Sequence, residues 1–568
     1  QVKEKTFPIE SELNDDEPRI GVFVCNCGVN IGGVADVPAI VEYAKDLDGV
    51  VYVEENLFSC SQDTQEKMIE VIKEQKLNRL VVAACTPRTH EPLFQETIRN
   101  AGMNPYLFEM ANIRNQCTWV HSGDKQIATE KSSDLVRMAV SRASLLEAIA
   151  KLSVDVNSSV LVVGGGVAGM TSALSLADQG FSTTIIEKSS ELGGSAKDVM
   201  KTWSGREVQP FLSDLVSKVE KHSNIDLLLS AEVKSASGFV GNFETIVTSN
   251  GTEKTVQHGV GVIATGAKAT ETDEYLYGKN PNVTRWHDLE NNPEKLKNAD
   301  TVAFIQCVGS REESRPYCSR ICCTASVQQA ISIKDEKPDT NVFILYRDIR
   351  TFGERELLYR EAREKGVVFI RYSVENKPVV TEAGDGLEIE VFDPVLQQNV
   401  TIQTDILNLA TAIEPVDTED IASIYKLPVN EEKFFMEAHA KLRPVDFATE
   451  GLYVCGLAHY PKSIDESIAQ AMAAAGRAAT VLSKASIEVS PLVSQVDQEK
   501  CIGCGLCAEV CCFGGIILDE VEGKGKRAFN VPASCKGCGL CASSCPQKAI
   551  DMLHFRDEQI KASISAAV

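Results

Sequence analysis

The sequence predicts an α/β protein of several domains, with doubly wound parallel sheets followed by a small cysteine-rich module. Three observations carry this. Residues 160–163 are an apolar run that ends in Gly164-Gly165-Gly166-Val167-Ala168-Gly169 and leads into a helical stretch, the strand–turn–helix start of a parallel sheet. Two later apolar runs end in similar glycine turns, at Thr265-Gly266 and at Gly456. Near the end, Cys501, Cys504, Cys507 and Cys511 recur in the same C-x2-C-x2-C-x3-C spacing as Cys535, Cys538, Cys541 and Cys545. At 568 residues the chain is too long for one core, and about three or four domains are expected.

Composition narrows the class. Hydrophobic residues make up 43%, as in ordinary globular proteins, and 80 acidic against 57 basic residues give a net charge of −23. That balance argues against a nucleic-acid partner. The uncharged stretch 156–177 approaches membrane-spanning length, but it holds the glycine turn, so no span is expected. No basic-then-apolar signal is visible at the start, which makes cytoplasm the expected location. In that compartment the 19 cysteines read as metal ligands or redox groups rather than disulfides.

In chain order, residues 1–18 read as a polar arm carrying Glu4, Glu10, Glu12, Asp15, Asp16 and Glu17. A small α/β unit is expected over 19–130. Its strand 20–24 ends at Cys25-Asn26-Cys27-Gly28, strand 50–53 precedes Cys60, and strand 80–84 ends at Cys85, with helices at 37–47 and 63–75. Cys117 follows in a less regular segment. Cys25 and Cys85 fall just past strand ends, the ligand side of a parallel sheet. Five cysteines in this unit suit one iron–sulfur cluster held by four of them; buried small hydrophobes are the alternative. A connecting segment, 131–157, contains an expected helix at 134–151.

At the first glycine turn each residue type has a physical reason. Gly164 permits the turn, Gly166 lets a pyrophosphate approach the backbone, and Gly169 lets the helix press on the strand, whose N-terminal N–H groups attract the anion. Glu187, beside Lys188, ends the next strand, where an acid accepts a hydrogen bond from ribose hydroxyls. Gly193-Gly194 forms a second glycine turn, and further strands lie at 225–233, 243–247 and 259–264. The last of these ends in Thr265-Gly266. Segment 451–456 then precedes an alanine-rich helix at 464–482. This arrangement resembles the two-dinucleotide-domain flavoproteins of the thioredoxin-reductase and glutathione-reductase type. The resemblance implies FAD rather than NAD at this turn, with a candidate cofactor-binding set of Gly164, Gly166, Val167, Ala168, Gly169, Glu187, Lys188, Gly193, Gly194, Val233, Thr265, Gly266 and Gly456. Residues 158–298 and 405–488 would be the two parts of the FAD-binding domain.

The intervening half, 299–404, departs from that pattern. Where nicotinamide-using members carry a second G-x-G-x-x-G, strand 300–305 runs into Gln306-Cys307-Val308-Gly309-Ser310-Arg311. Ser310 and Arg311 crowd the path a pyrophosphate would take. Cys307, Cys318, Cys322 and Cys323 follow in C-x10-C-x3-C-C spacing. Adjacent cysteines are awkward for one tetrahedral zinc, whereas a cubane offers separate irons, so an iron–sulfur cluster is expected here in place of nicotinamide. Four structural cysteines are the alternative. Arg347, Arg350, Arg355 and Arg360 gather in the same half, around strands 342–346 and 367–372 and a helix at 355–365. They are read as a solvated, salt-bridged face, with contact to an anionic cofactor as the other possibility.

The two C-terminal runs, within 489–568, have the spacing of a bacterial two-cluster ferredoxin, in which the fourth cysteine of each run ligates the other cluster. Cys501, Cys504, Cys507 and Cys545 are thereby assigned to one [4Fe-4S] cluster, and Cys535, Cys538, Cys541 and Cys511 to its neighbour. Zinc sites do not repeat this run. Cys512 stands where proline is usual and leaves the choice between Cys511 and Cys512 open.

With these motifs in place the chain resembles, over nearly its whole length, the HdrA component of heterodisulfide reductase. The resemblance rests on residues 21–30 (GVFVCNCGVN), 83–92 (AACTPRTHEP), 105–114 (PYLFEMANIR), 317–324 (YCSRICCT), 344–350 (ILYRDIR) and 458–467 (AHYPKSIDES). It implies a thioredoxin-reductase-like FAD flavoprotein with an N-terminal small α/β domain and a C-terminal two-[4Fe-4S] ferredoxin domain. It also implies a homodimeric core and flavin-based electron bifurcation inside a larger complex. Expected partners are HdrB- and HdrC-like, MvhD-like or substrate-reductase subunits, with ferredoxin as donor or acceptor. Many relatives insert another ferredoxin unit after the first glycine turn, but residues 194–229 contain no cysteine, so one electron branch is missing or supplied by a partner. No nucleophile–base constellation asks for acid–base catalysis. Lys462 is the one candidate catalytic residue, as a flavin-tuning group or else a surface lysine. Two competing readings are an NAD(P)H-dependent iron–sulfur flavoprotein oxidoreductase and a relay subunit that only passes single electrons.

Overall fold

A computed structural model describes residues 6–11, 17–249 and 251–568. Of the expected polar arm, residues 1–5 and 12–16, with Glu4, Glu12, Asp15 and Asp16, lie outside the described residues. The chain forms two compact units, one of residues 1–153 and 488–568, the other of residues 154–487.

The first unit opens with a parallel sheet of β1 (Ile20–Cys25), β2 (Val50–Asn56), β3 (Arg79–Ala84) and β4 (Phe108–Asn112) in the order β2-β1-β3-β4. Every residue of β1 and β3 is buried, as expected of central strands covered on both faces by helices. The covering helices are α1 (Val37–Lys45), α2 (Gln62–Glu74), α3 (Pro87–Asn100) and α4 (Lys125–Ala143). α4 begins and ends before the helix expected at 134–151. Asp124 caps it by accepting the Ile127 N–H at 3.0 Å. The apolar residues beyond Ala143 are drawn off the helix because Asn104 bonds both backbone groups of Ile149, donating to its carbonyl at 3.1 Å and accepting its N–H at 3.4 Å. Cys117 falls in a short π-helix, Arg114–Thr118.

The C-terminal segment of this unit is a repeat of small parts. Strand Ser494–Val496 pairs antiparallel with Ile550–Met552, hairpin strands Ile516–Val521 and Gly525–Asn530 pair with each other, and each cysteine run enters a one-turn helix, Leu506–Glu509 or Leu540–Ser543. A last helix, Asp557–Ser565, packs on α4, with Gln559 Nε2 donating to the Leu145 carbonyl at 2.9 Å. Between these parts runs a buried polar seam. Arg142 pairs with Glu109 and donates to His554 Nδ1 at 3.0 Å, while His554 Nε2 bonds the Tyr106 carbonyl at 3.0 Å. Burial and the Arg142 charge hold His554 down to about 4, so it is the neutral tautomer protonated on Nε2.

The second unit holds two five-stranded parallel sheets. In the first, the strand order is Leu452–Val454, Val260–Ile263, Ser159–Val163, Ser182–Ile186, Ile225–Leu228. In the second it is Val283–Arg285, Ile406–Thr411, Thr301–Val308, Asn341–Tyr346, Val368–Arg371. Each sheet carries a three-stranded antiparallel flap, residues 231–258 in one and 379–404 in the other. Strands Ala267–Ala269 and Ile413–Pro415 pair where the chain crosses between the halves. Strand 301–308 runs three residues beyond the expected end at 305, through a bulge between Ile305 and Val308 that sets Cys307 in a left-handed conformation. Among the described residues no helix is long and apolar enough to cross a membrane.

Candidate functional site

A cavity of about 760 Å³ lies in the second unit, and all of the candidate cofactor-binding residues except Gly169 line it. The glycines of the first turn divide the work. Gly164 has φ +113, and a Cβ there would meet the Ala264 carbonyl oxygen at 2.3 Å, so the turn lies against the end of the neighbouring strand. A Cβ on Gly169 would stand 1.9 Å from the Gly164 carbonyl oxygen, so the helix Val167–Ala177 rests directly on the turn. A Cβ on Gly166 would meet nothing closer than Gly194 Cα at 4.0 Å. Open space is therefore found where an approaching pyrophosphate needs it. Glu187 accepts the Gly165 N–H at 2.7 Å and the Ser189 N–H at 2.7 Å, which fixes its carboxylate at the cavity wall. The hydroxyl oxygens of Thr265 and Ser467 are buried and unpartnered, and both residues line the cavity. A polar ligand with acceptors and donors, such as a flavin nucleotide, fits these groups.

Lys462 is not a surface lysine. It is 8% exposed, lines the cavity, and donates to the Gly456 carbonyl at 2.6 Å and the Tyr460 carbonyl at 2.8 Å. Burial pulls it down to about 8.

The cavity extends to the first turns of the helix Cys322–Glu336, where Ile321, Thr324, Ala325 and Gln328 line it. Cys322 and Cys323 open that helix and pack with Ala410 against Trp286, itself a cavity residue. Cys307 and Cys318 lie close enough to Cys322 that their thiols, after Cys323 and burial, push it upward. The four expected cysteines are thus one group. Around them the side-chain polar atoms of Gln306, Thr324 Oγ1, Arg311 Nη1 and Arg347 Nε are buried without partners. Such a shell, on a donor set of four thiols, fits an anionic iron–sulfur cluster. The arginine face expected here is only partly solvated. Arg350 and Arg360 are exposed, but Arg347 and Arg355 are buried, Arg347 by bonds to the Ser310 and Arg311 carbonyls and Arg355 by a 2.8 Å bond to Ser463 Oγ at the cavity. Sequence reading missed this because an arginine run has the same letters whether its hydrogen-bond acceptors are water or backbone.

In the first unit a small cavity is lined by Cys501, Cys504, Cys507 and Cys545, with Ala528, Pro546, Ala549 and Ile550 closing it. The Ala528 and Ala549 N–H groups point to the Cys501 and Cys545 sulfurs at 3.5 and 3.3 Å. Cys511 receives the Gly515 N–H at 3.2 Å and, with Cys535, neighbours Cys541, whereas Cys512 is exposed. Of the five N-terminal cysteines, Cys25 neighbours Cys27, and Cys85 neighbours Cys25 and Cys60. Cys117 instead faces Ser132, Asp134 and Lys131 of α4. Among the described residues no three His, Cys, Asp or Glu side chains are arranged to hold a single metal ion. No disulfide joins any of the 19 cysteines.

Residues 158–305 match the family model described as pyridine nucleotide-disulphide oxidoreductase, and residues 500–549 match the 4Fe-4S dicluster domain. The first match stops two residues short of Cys307. The HdrA component of the H(2):CoB-CoM heterodisulfide,ferredoxin reductase of Methanothermobacter thermautotrophicus is 38% identical, over 98% of this chain and 99% of the relative. A corresponding iron-sulfur component of the CoB--CoM heterodisulfide reductase of Methanopyrus kandleri is 37% identical, over 90% and 93%. The chain belongs to the HdrA family of heterodisulfide reductase components. It is an iron–sulfur flavoprotein subunit of oxidoreductase type, with a pyridine nucleotide-disulphide oxidoreductase domain and a 4Fe-4S dicluster domain. The Methanothermobacter alignment runs over 660 positions against 568 residues here, so that HdrA relative carries segments this chain lacks. Among solved structures, the thioredoxin reductase of T. acidophilum is 17% identical over 57% of this chain and 96% of its own, with a TM-score of 0.41.

Proposed function

We propose that this HdrA-type chain holds FAD in the 760 Å³ cavity, one [4Fe-4S] cluster on Cys307, Cys318, Cys322 and Cys323, two on the C-terminal cysteine runs, and one on Cys25, Cys27, Cys60 and Cys85, and that it is the electron-bifurcating core of its complex. The carrying observation is that the cavity built by the glycine turn ends at the helix that begins with Cys322 and Cys323. When bound, a flavin exchanges electrons in pairs or singly and a cluster exchanges them singly, so a flavin beside a cluster can divide a pair. The chain's own residues set the conditions. The Gly166 face would leave room for the pyrophosphate, Glu187 would accept from the ribose, and the Lys462 ammonium, anchored on two carbonyls, would stabilise negative charge on the flavin ring. Trp286 packs with Cys322, Cys323 and Ala410, and this apolar cluster would limit water around a group held on those cysteines.

The names of relatives couple the same kind of subunit to different donors: H(2), F(420)H(2) and ferredoxin. Ferredoxin recurs in all three, and we take it as a partner here, alongside catalytic subunits of a heterodisulfide-reductase-type complex around a homodimeric core. Protein purified without oxygen should carry one FAD and about sixteen irons, and the two one-electron potentials of its flavin should be strongly crossed. Zinc or nothing at Cys307–Cys323, together with tight NADH binding, would overturn the assignment.

A further inference from the structure

Beside Cys307 the structure holds fixed positive charge with free donors. Cys307 is left-handed at φ +62, and the chain turns back through Gly309 to Arg311, also left-handed at φ +60. Arg347, 7% exposed, straps this turn by donating from Nη1 to the Arg311 carbonyl at 2.9 Å and from Nη2 to the Ser310 carbonyl. Its Nε–H is buried and has no partner. Arg311 uses Nη2 on Asp348 at 2.7 Å, while its Nη1 is buried and unpartnered. Both guanidiniums stand by the Cys307 sulfur: burial and the Cys323 thiol push Cys307 up, and Arg347 and Arg311 pull it down. Among the described residues, the carboxylate hydrogen-bonded to either arginine is that of Asp348, which Arg311 shares with Arg371.

A buried cationic donor without an acceptor is costly unless an anion completes it. Four thiolates around an oxidised cubane carry net negative charge, and reduction adds one more. Tyr372, whose hydroxyl donates to the Gln306 carbonyl, closes the same space, so the charges act through protein rather than water. We propose that Arg311 and Arg347 are potential-setting residues, a cationic clamp on the Cys307 ligand that favours the reduced cluster and so raises its reduction potential. Because arginine does not deprotonate in proteins, this bias is constant with pH. The inference rests on the reading of Cys307, Cys318, Cys322 and Cys323 as cluster ligands.

The test is an anaerobic redox titration of the full-length protein, followed by electron paramagnetic resonance. The reduced-cluster signal that Cys318→Ser abolishes identifies the cluster; if that variant removes neither signal nor iron, the ligand assignment itself is wrong. At the potential where this cluster is half reduced, Arg311→Gln and Arg347→Gln should each lower the reduced-to-oxidised ratio about tenfold, or about 59 mV for a one-electron couple. Arg311→Lys and Arg347→Lys, which keep the charge, should lie much closer to the unmodified protein. A Gln variant with full iron and an unmoved ratio overturns the clamp, as do Lys variants that shift as far as the Gln ones. If Arg347→Gln releases iron because it straps the backbone, Arg311→Gln decides alone, since its guanidinium is held by the Asp348 carboxylate and does not strap the turn.

Discussion

Gly166→Ala and Gly169→Ala sit three residues apart in one turn, yet they should fail in different ways. At Gly166 the backbone is extended (φ −76, ψ −179), a conformation open to any residue, and the new methyl meets nothing within 4.0 Å except Gly194 Cα at that limit. The flavin-free protein should therefore lose less than about 1 kcal/mol, the scale of a helix N-cap change. The methyl does occupy the space through which a pyrophosphate must reach the backbone N–H groups. Forfeiting one charge-assisted bond costs about 1.5–3 kcal/mol, so FAD should bind roughly ten- to a hundredfold more weakly. At Gly169 the methyl would stand 1.9 Å from the Gly164 carbonyl oxygen, a backbone atom that cannot swing aside. Overpacking of that kind costs about 1–3 kcal/mol, occasionally more, and it falls on the fold itself. The assay strips flavin from both variants, compares their unfolding midpoints, and then titrates FAD back. Comparison without flavin matters because bound cofactor stabilises whatever binds it. The reasoning fails if Gly166→Ala rebinds FAD as tightly as the parent, or if Gly169→Ala is as stable as Gly166→Ala.

Three further outcomes can be checked. Cys511→Ser and Cys85→Ser should each lose about four irons, while Cys512→Ser and Cys117→Ser keep the full content, measured by iron analysis after anaerobic preparation. In flavin-free protein, burial holds Lys462 at about 8, against an ordinary 10.5. Between those values the unfolded chain binds the extra proton, so stability rises with pH from about 8 to 10.5, by on the order of 3 kcal/mol in all. Lys462→Met should abolish that rise in a pH series of denaturation curves. Glu109 is shifted the opposite way for its type, with burial raising it from 4.5 to about 7 despite Arg142. The folded state then holds the extra proton, so its stabilising share is full below pH 4.5 and is lost as pH rises through about 7. Glu109→Gln should flatten that slope, and an unchanged slope would show that another group causes it.

What the sequence showed and what it hid follow from how local the physics is. The Gly164–Gly169 turn and the C-terminal cysteine spacings are local, because a turn or a cluster loop needs its residue types at fixed offsets. The end of α4 was not local: Asn104, forty-five residues before Ile149, supplies the bonds that draw the chain off the helix. The burial of Lys462 was equally invisible: its acceptors, the Gly456 and Tyr460 carbonyls, are near in sequence but are backbone groups that carry no side-chain signature, and the cavity wall that covers it is assembled from distant segments. The sorting of Cys117 from Cys25, Cys27, Cys60 and Cys85 needed the path of α4, which the sequence placed too late.

One rule of parallel sheets accounts for three of the candidate centres. In each sheet the candidate group follows the strand on either side of which the chain order reverses, where adjacent connections leave in opposite directions and open a crevice. In the first sheet that strand is β1, flanked by β2 and β3, and Cys25 ends it while Cys85 follows its neighbour. In the second it is Ser159–Val163, whose glycine turn meets Ala264 and Thr265 across the crevice. In the third it is Thr301–Val308, where Cys307 stands and Ala410 of the neighbouring strand packs on Cys322 and Cys323. A crevice of this sort selects only a place, not a ligand. Glycines leave it open to a phosphate, and cysteines line it with thiolates for iron. The bulge that turns Cys307 to φ +62 and the straps from Arg347 fill the third crevice with side chains where the second keeps bare backbone. Glycine at Ser310 and Arg311 alone should therefore not admit a nicotinamide, because the Arg347 side chain and the four thiols remain beside the turn.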